Sequence, residues 1–141
     1  MLIVKKGNMM ASKRRLRVIN VLDPEYYADA HIKGSINVPL KELKDFAQHT
    51  DKQTPIVVYC ASYECPMSKQ AWHVLHELGF QDLYAYEGGI NEWYRGGFPT
   101  EGPHAQKYLH ADIAPSAKAD ETLQTITMQE LKAKMEKEGL I

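Results

Sequence analysis

The run Ile56-Val57-Val58-Tyr59-Cys60 constrains this chain more than any other feature, because it is apolar without a break. A strand with one wet face alternates apolar and polar side chains. An unbroken run hides both faces, which predicts a central strand of a parallel sheet covered by helices on each side. A second run, Leu16 to Leu22 (LRVINVL), is closed by Asp23-Pro24, with Asp23 placed to cap a short helix and Pro24 at its first position. Ser35 to Val38 and Leu83 to Tyr86 read as further short strands. Between them Leu40, Leu43, Phe46 and Ala47 recur at helical spacing. Ala71, Val74, Leu75 and Leu78 do the same on a helix from about Met67 that Gly79 stops, and a last short helix runs from Ile90 to about Tyr94. Strands alternating with helices over links this short predict an α/β chain. The expected form is a three-layer α/β/α fold around a central parallel sheet, whose ligands bind beyond the carboxyl ends of the strands. Cys60 lies at such an end.

Charge narrows the function classes. With 17 Lys+Arg against 18 Asp+Glu the net charge is −1, which leaves no bulk field to recruit nucleic acid or an anionic membrane. The one basic cluster, Lys13-Arg14-Arg15 with Arg17, leads into a strand and reads as a solvated end. Met1 to Val4 is cut off by Lys5-Lys6, and no apolar stretch approaches the roughly 20 residues of a membrane span, so the expectation is a cytoplasmic protein. The chain divides into a tail at 1–12 without periodicity, in which Met9 and Met10 offer later starts, and a domain at 13–102. A Pro-, Ala- and Lys-containing linker follows at 103–122, then a strand and helix at 123–141 opened by a Thr127/Glu130 capping box.

Chemistry concentrates after the buried run. A cysteine at the end of a strand, followed by a loop and a helix start, has loop N–H groups and the positive end of a helix dipole available to its sulfur, which favours the thiolate. Cys60 has that address, and the loop comprises Ala61, Ser62, Tyr63, Glu64, Cys65, Pro66, Met67 and Ser68. The alternative on position alone is an inert buried cysteine. Cys65 is placed to resolve a modified Cys60 as a disulfide, or to serve as a second thiol, or simply to pack; the four-residue gap is not the C-x-x-C of zinc or thioredoxin sites. His73 and His76 lie off the apolar stripe of their helix, so no metal site is expected, and nothing calls for a cofactor. Gly88-Gly89 lacks the lysine and spacing of a phosphate loop and reads as a place where backbone passes close to the sulfur. Cysteine phosphatase chemistry is excluded because the sixth residue after Cys60 is Pro66, and no Arg follows until Arg95 to clamp a phosphoryl group.

From Leu16 to Pro103 the chain resembles the rhodanese family. VINVLDPEYYADAHIKGSINVPL is similar to the family's strand, helix, Gly-His-Ile-x-Gly-Ala and strand; IVVYC to its active-site strand; and ELGFQDLYAYEGGINEWYRGGFP to its Gly-Phe, Gly-Gly-Ile-x-x-Trp and Gly-x-Pro close. The resemblance implies a sulfurtransferase that carries sulfur as a persulfide on Cys60, between a donor and a thiol or protein acceptor. It gives His31, Gly34, Gly88, Gly89 and Trp93 framework places. The chain departs from the family at Asn20-Val21-Leu22, where Asp-Val-Arg is common, and at Tyr26, where an acid is common. Its loop is also two residues longer and lacks the usual basic residues. An acidic Glu64 there opposes an anionic donor, so thiosulfate is expected to serve poorly and a persulfide on a small thiol or a protein to serve better. The other readings are a dithiol redox or sensing protein using Cys60 and Cys65, and a catalytically silent rhodanese fold acting as a binding module.

Family members begin with a short strand and helix that this chain lacks before Leu16. LQTITMQELKAKMEKE, from Leu123 to Glu138, has that missing pattern. One expectation is that the tail supplies the outer strand and helix, in effect a circular permutation, on its own domain or swapped onto a neighbour in a homodimer; the alternative is a mobile or independently docked tail helix, or the opening of a second, truncated rhodanese unit.

Overall fold

The computed structural model describes residues 14–115 and 122–141; the N-terminal tail read at 1–12 and the second half of the linker lie outside these. Four parallel strands form the sheet: β1 (Arg17–Asn20), β3 (Ile36–Asn37), β4 (Ile56–Tyr59) and β5 (Leu83–Tyr86), in the order β3-β1-β4-β5. β4 is central, registered on β1 through Val58 against Ile19 and on β5 through Val58 against Ala85. Two further short strands, β2 (His31–Ile32) and β6 (Thr100–Glu101), pair antiparallel at one end.

All four residues of β4 are buried, as an unbroken apolar run requires, and their alternation separates two cores. Ile56, Val58 and Cys60 face Leu43 and Ala47 of α2 (Leu43–Gln48) and Ala71, Trp72 and Leu75 of α3 (Met67–Glu77). Val57 and Tyr59 face Ile90 and Trp93 of α4 (Gly89–Arg95), together with Leu109, Leu131 and Met135. The layers are therefore helix, sheet, helix. Framework residues close the domain: His31 stacks on Tyr27 with ring centroids 3.9 Å apart, and its two ring nitrogens reach the Tyr27 carbonyl at 2.8 Å and Glu101 at 3.1 Å. Trp93 Nε1 donates to the Pro99 carbonyl at 2.8 Å.

Three sequence expectations are corrected. Asp23 sits at the N-cap of α1 (Pro24–Asp29), but its side chain caps nothing; its carbonyl accepts from the Tyr26 and Tyr27 N–H groups instead. The buried stripe of α3 runs through Ser68, Ala71, Trp72 and Leu75, three residues toward the N-terminus of the expected 71/74/75/78, and Leu78 is exposed. The indole of Trp72 pulls the helix round, because its N–H reaches the Leu83 carbonyl at 3.0 Å. The stretch from 103 read as a linker is docked as far as it is described. Leu109 is fully buried, the Asn91 amide donates to the carbonyls of Tyr108 and Ala111 at 2.7 and 2.9 Å, and the Asp29 carboxylate accepts from the Ala105 and Gln106 N–H groups. Its composition resembles a linker because a single leucine and a row of main-chain bonds hold it, and neither leaves a periodic pattern.

The C-terminal segment occupies the free edge of β5. Ala85 N–H donates to the Gln124 carbonyl at 2.8 Å and Ile126 N–H to the Ala85 carbonyl at 3.2 Å, making a parallel bridge at Thr125. The Thr127/Glu130 capping box then opens α5 (Met128–Lys137), which buries Leu131 and Met135 on the α4 face of the sheet. Leu16 N–H donates to the Glu138 carboxylate at 3.0 Å, and the Arg15 guanidinium to the Glu138 carbonyl, so the end of the tail is tied to the start of β1. The tail thus packs on its own domain at the edge where the resemblance places a missing strand.

Candidate active site

The loop after β4 begins where a parallel strand ends, and α4 holds it from below. Ile90 N–H donates to the Cys60 carbonyl at 3.1 Å and Asn91 N–H to the Ala61 carbonyl at 2.9 Å. This approach is close enough to need glycine: Gly89 has φ +64°, and a Cβ there would stand 2.5 Å from the Cys60 carbonyl oxygen and 2.8 Å from the Ser62 nitrogen. Within the loop, Cys65 N–H closes a turn on the Ser62 carbonyl at 3.0 Å, and the Ser62 hydroxyl accepts from Glu64 N–H at 3.2 Å. Tyr63 is tied outward, its hydroxyl donating to Glu92 at 2.8 Å, and Tyr86 donates to the other oxygen of the same carboxylate.

These bonds bring the two thiols together. The Cys60 thiol donates to the Cys65 carbonyl oxygen at 3.5 Å. Both cysteines are free. Burial pushes the Cys60 thiol well above its ordinary range. The hydrogen bond from Cys60 and the N–H groups of Ala61 and Met67 hold Cys65 down to about 6 against the opposing effect of its own burial. The sequence reading favours the thiolate at Cys60, where burial works against it, whereas Cys65 is held down. Cys60 retreats into the α3 face of the core at 1% exposure, and the Ala61 and Met67 N–H groups favour charge on the sulfur five residues later. Ser68, in the first turn of α3, is also buried; its N–H and hydroxyl favour charge on the Cys60 sulfur, and the hydroxyl has no other partner. Alkylation should therefore label Cys65 before Cys60. Its rate should level off above about pH 7 and fall as pH drops through about 6, where the Cys65 thiolate takes up its proton; mass mapping of alkylated peptides across that range checks the order and the midpoint.

A pocket of about 530 Å³ opens over Cys65, lined by Tyr63, Glu64, Cys65, Pro66, Lys69 and Ala114. Two of these residues escape sequence reading. Lys69 lies beyond the loop, and only the helical turn swings it over the pocket, where it pairs with Glu87 at 3.5 Å. Ala114 belongs to the docked stretch that composition marks as linker. Glu92, which anchors Tyr63, sits at a free position between the glycine pair and Trp93, so no motif flags it. Gly88 packs against the Glu92 side chain and Gly89 against the loop backbone. Among the described residues no group of three or more His, Cys, Asp or Glu side chains is arranged to hold a metal ion, and His76 instead stacks on Trp72. No helix among them is long and apolar enough to cross a membrane.

The family model for the rhodanese-like domain matches residues 5–95. The chain belongs to the rhodanese-like family. Among curated relatives, the thiosulfate sulfurtransferase GlpE of Ectopseudomonas mendocina is 36% identical over 84 residues, covering 60% of this chain and 74% of the relative. The GlpE of Vibrio cholerae is 24% identical over 98 residues, covering 70% and 91%. Among solved structures, a rhodanese-like domain from Anabaena sp. superposes with a TM-score of 0.57 at 32% identity, covering 64% of this chain and 96% of that one. A rhodanese with anions from E. coli gives 0.52 at 32%, covering 62% and 98%. The rhodanese fold, with its central parallel sheet and flanking helices, is shared with these neighbours. The family match ends at Arg95, so the docked stretch and the tail of this rhodanese-like chain are outside it.

Proposed function

We propose that this rhodanese-family sulfurtransferase carries sulfur as a persulfide on Cys60, between a small-molecule or protein persulfide donor and a thiol or protein acceptor. The observation that carries the reading is the address of Cys60: the carboxyl end of the central strand, beside a buried Ser68 hydroxyl with no hydrogen-bond partner among the described residues. An outer sulfur bound to Cys60 would give that hydroxyl an acceptor, which removes the cost of leaving it unpaired. The test is loading with a low-molecular-weight persulfide and mass mapping. The expected result is a gain of one sulfur on Cys60; a protein that gains none there from any donor refutes the reading.

Thiosulfate is the donor in the relatives' names, and it is a dianion. The loop here offers it Glu64, while Lys69, the one cation lining the pocket among the described residues, is engaged by Glu87. A persulfide of a small thiol or of a protein cysteine carries less charge at its sulfur end and suits the pocket better. Glu64→Arg is expected to improve thiosulfate use roughly three- to ten-fold, no more, because the Glu64 side chain is exposed and solvent screens the exchange. Steady-state kcat/KM for thiosulfate checks it, and an unchanged value counts against this account of donor choice.

A further inference from the structure

The two thiols differ in access. Cys60 is 1% exposed beneath the loop, whereas Cys65 lines the 530 Å³ pocket, so a donor entering there meets Cys65 first. The two lie against each other in the loop, the Cys60 sulfur 3.5 Å from the Cys65 carbonyl oxygen. We propose that Cys65 is the entry nucleophile of this enzyme and that the sulfur then passes inward, from Cys65 to Cys60, within the loop. The proposal rests on the Cys60 persulfide reading above and adds the route by which that buried carrier is filled.

The chemistry balances without an oxidant. The Cys65 thiolate attacks the outer sulfur of a donor R–S–SH; a Cys65 S–S bond forms, the donor S–S bond breaks, and R–S⁻ leaves with the bonding pair. The Cys60 sulfur then attacks the outer sulfur of Cys65–S–SH. A Cys60 S–S bond forms, the Cys65 S–S bond breaks, and the proton lost from Cys60 ends on the departing Cys65 sulfur. The transferred sulfur keeps its oxidation level throughout, and both thiols are regenerated when the acceptor removes it.

Direction follows from the environments of the two sulfurs. In thiol exchange the less basic thiol is the better leaving group, and the more basic one, once it gives up its proton, is the stronger nucleophile. Hydrogen bonds from Cys60 and from the Ala61 and Met67 N–H groups make Cys65 the less basic, and burial makes Cys60 the more basic. Sulfur therefore runs from the pocket into the fold, where the Ser68 hydroxyl stands without another partner. The burial that argues against Cys60 as a first nucleophile argues for it as a store, because a persulfide there is shielded from stray thiols.

The experiment loads the full chain with limiting glutathione persulfide, quenches with an alkylating agent at short times and cleaves after Glu64, which separates the two cysteines. Wild-type protein should show sulfur on Cys60. Cys60→Ser should strand it on Cys65, and Cys65→Ser should fill Cys60 at least ten-fold more slowly. Because a hydroxyl at position 60 is buried in the core, Cys60→Ala is run beside it, with a thermal melt to show that one of the two is folded. Filling of Cys60 at the wild-type rate in Cys65→Ser overturns the relay, as does a folded position-60 variant that takes up no sulfur. Wild-type protein without sulfur on Cys60 overturns the carrier reading itself, whichever way the variants behave.

Discussion

Truncation after Gly102 is expected to lower the melting temperature by about 15 °C or more. The deleted segment carries Leu109, Leu131 and Met135, all fully buried. Truncating one such side chain to alanine costs about 2–5 kcal/mol, and removing all three with their backbone takes a large part of the roughly 5–15 kcal/mol that holds a domain together. At roughly 3 °C per kcal/mol for a chain of this size, even the lower costs give that shift. The deletion also strips the Gln124 and Ile126 partners from Ala85 and leaves the β5 edge open, an invitation to pair with another chain. The truncated protein should therefore aggregate on heating. Calorimetry decides the matter: a melt within about 3 °C of the full chain would show that the tail and the docked stretch rest on the domain without holding it.

Replacing both cysteines by serine should reduce persulfide transfer to a thiol acceptor by at least about 10³-fold, to the uncatalysed rate, because the reaction then has no nucleophilic sulfur. The fold should survive. Cys60 sits beside the Ser68 hydroxyl and the Cys65 carbonyl, either of which can pair with a serine hydroxyl, and Cys65 is only partly buried. Residual turnover within ten-fold of wild type, measured as thiol consumed and new persulfide formed, would move the chemistry away from this loop.

The sequence by itself determined the layered parallel fold, the position of Cys60 and the start of the last helix, because each depends on neighbours within a few residues. An unbroken IVVYC run cannot sit at a wet face, the break after Cys60 sets a thiol at a strand end, and the Thr127/Glu130 pair closes its box locally. The outer-strand role of the tail was also legible, as a pattern missing from one end of the domain and present at the other. Tertiary structure decided what depends on residues distant in the chain. It gave the two sulfurs opposite environments, because burial against α3 raises one thiol while amides from Ala61 and Met67 lower the other. It rotated α3 to seat Trp72 on the Leu83 carbonyl, swung Lys69 and Ala114 over the pocket, and pinned residues 103–115 through Leu109 and Asn91. It also set the tail against Ala85 of its own sheet. Periodicity reports which face of an element is hidden; the pairing of one sulfur, one lysine or one main-chain carbonyl with a partner far along the chain leaves no period to read.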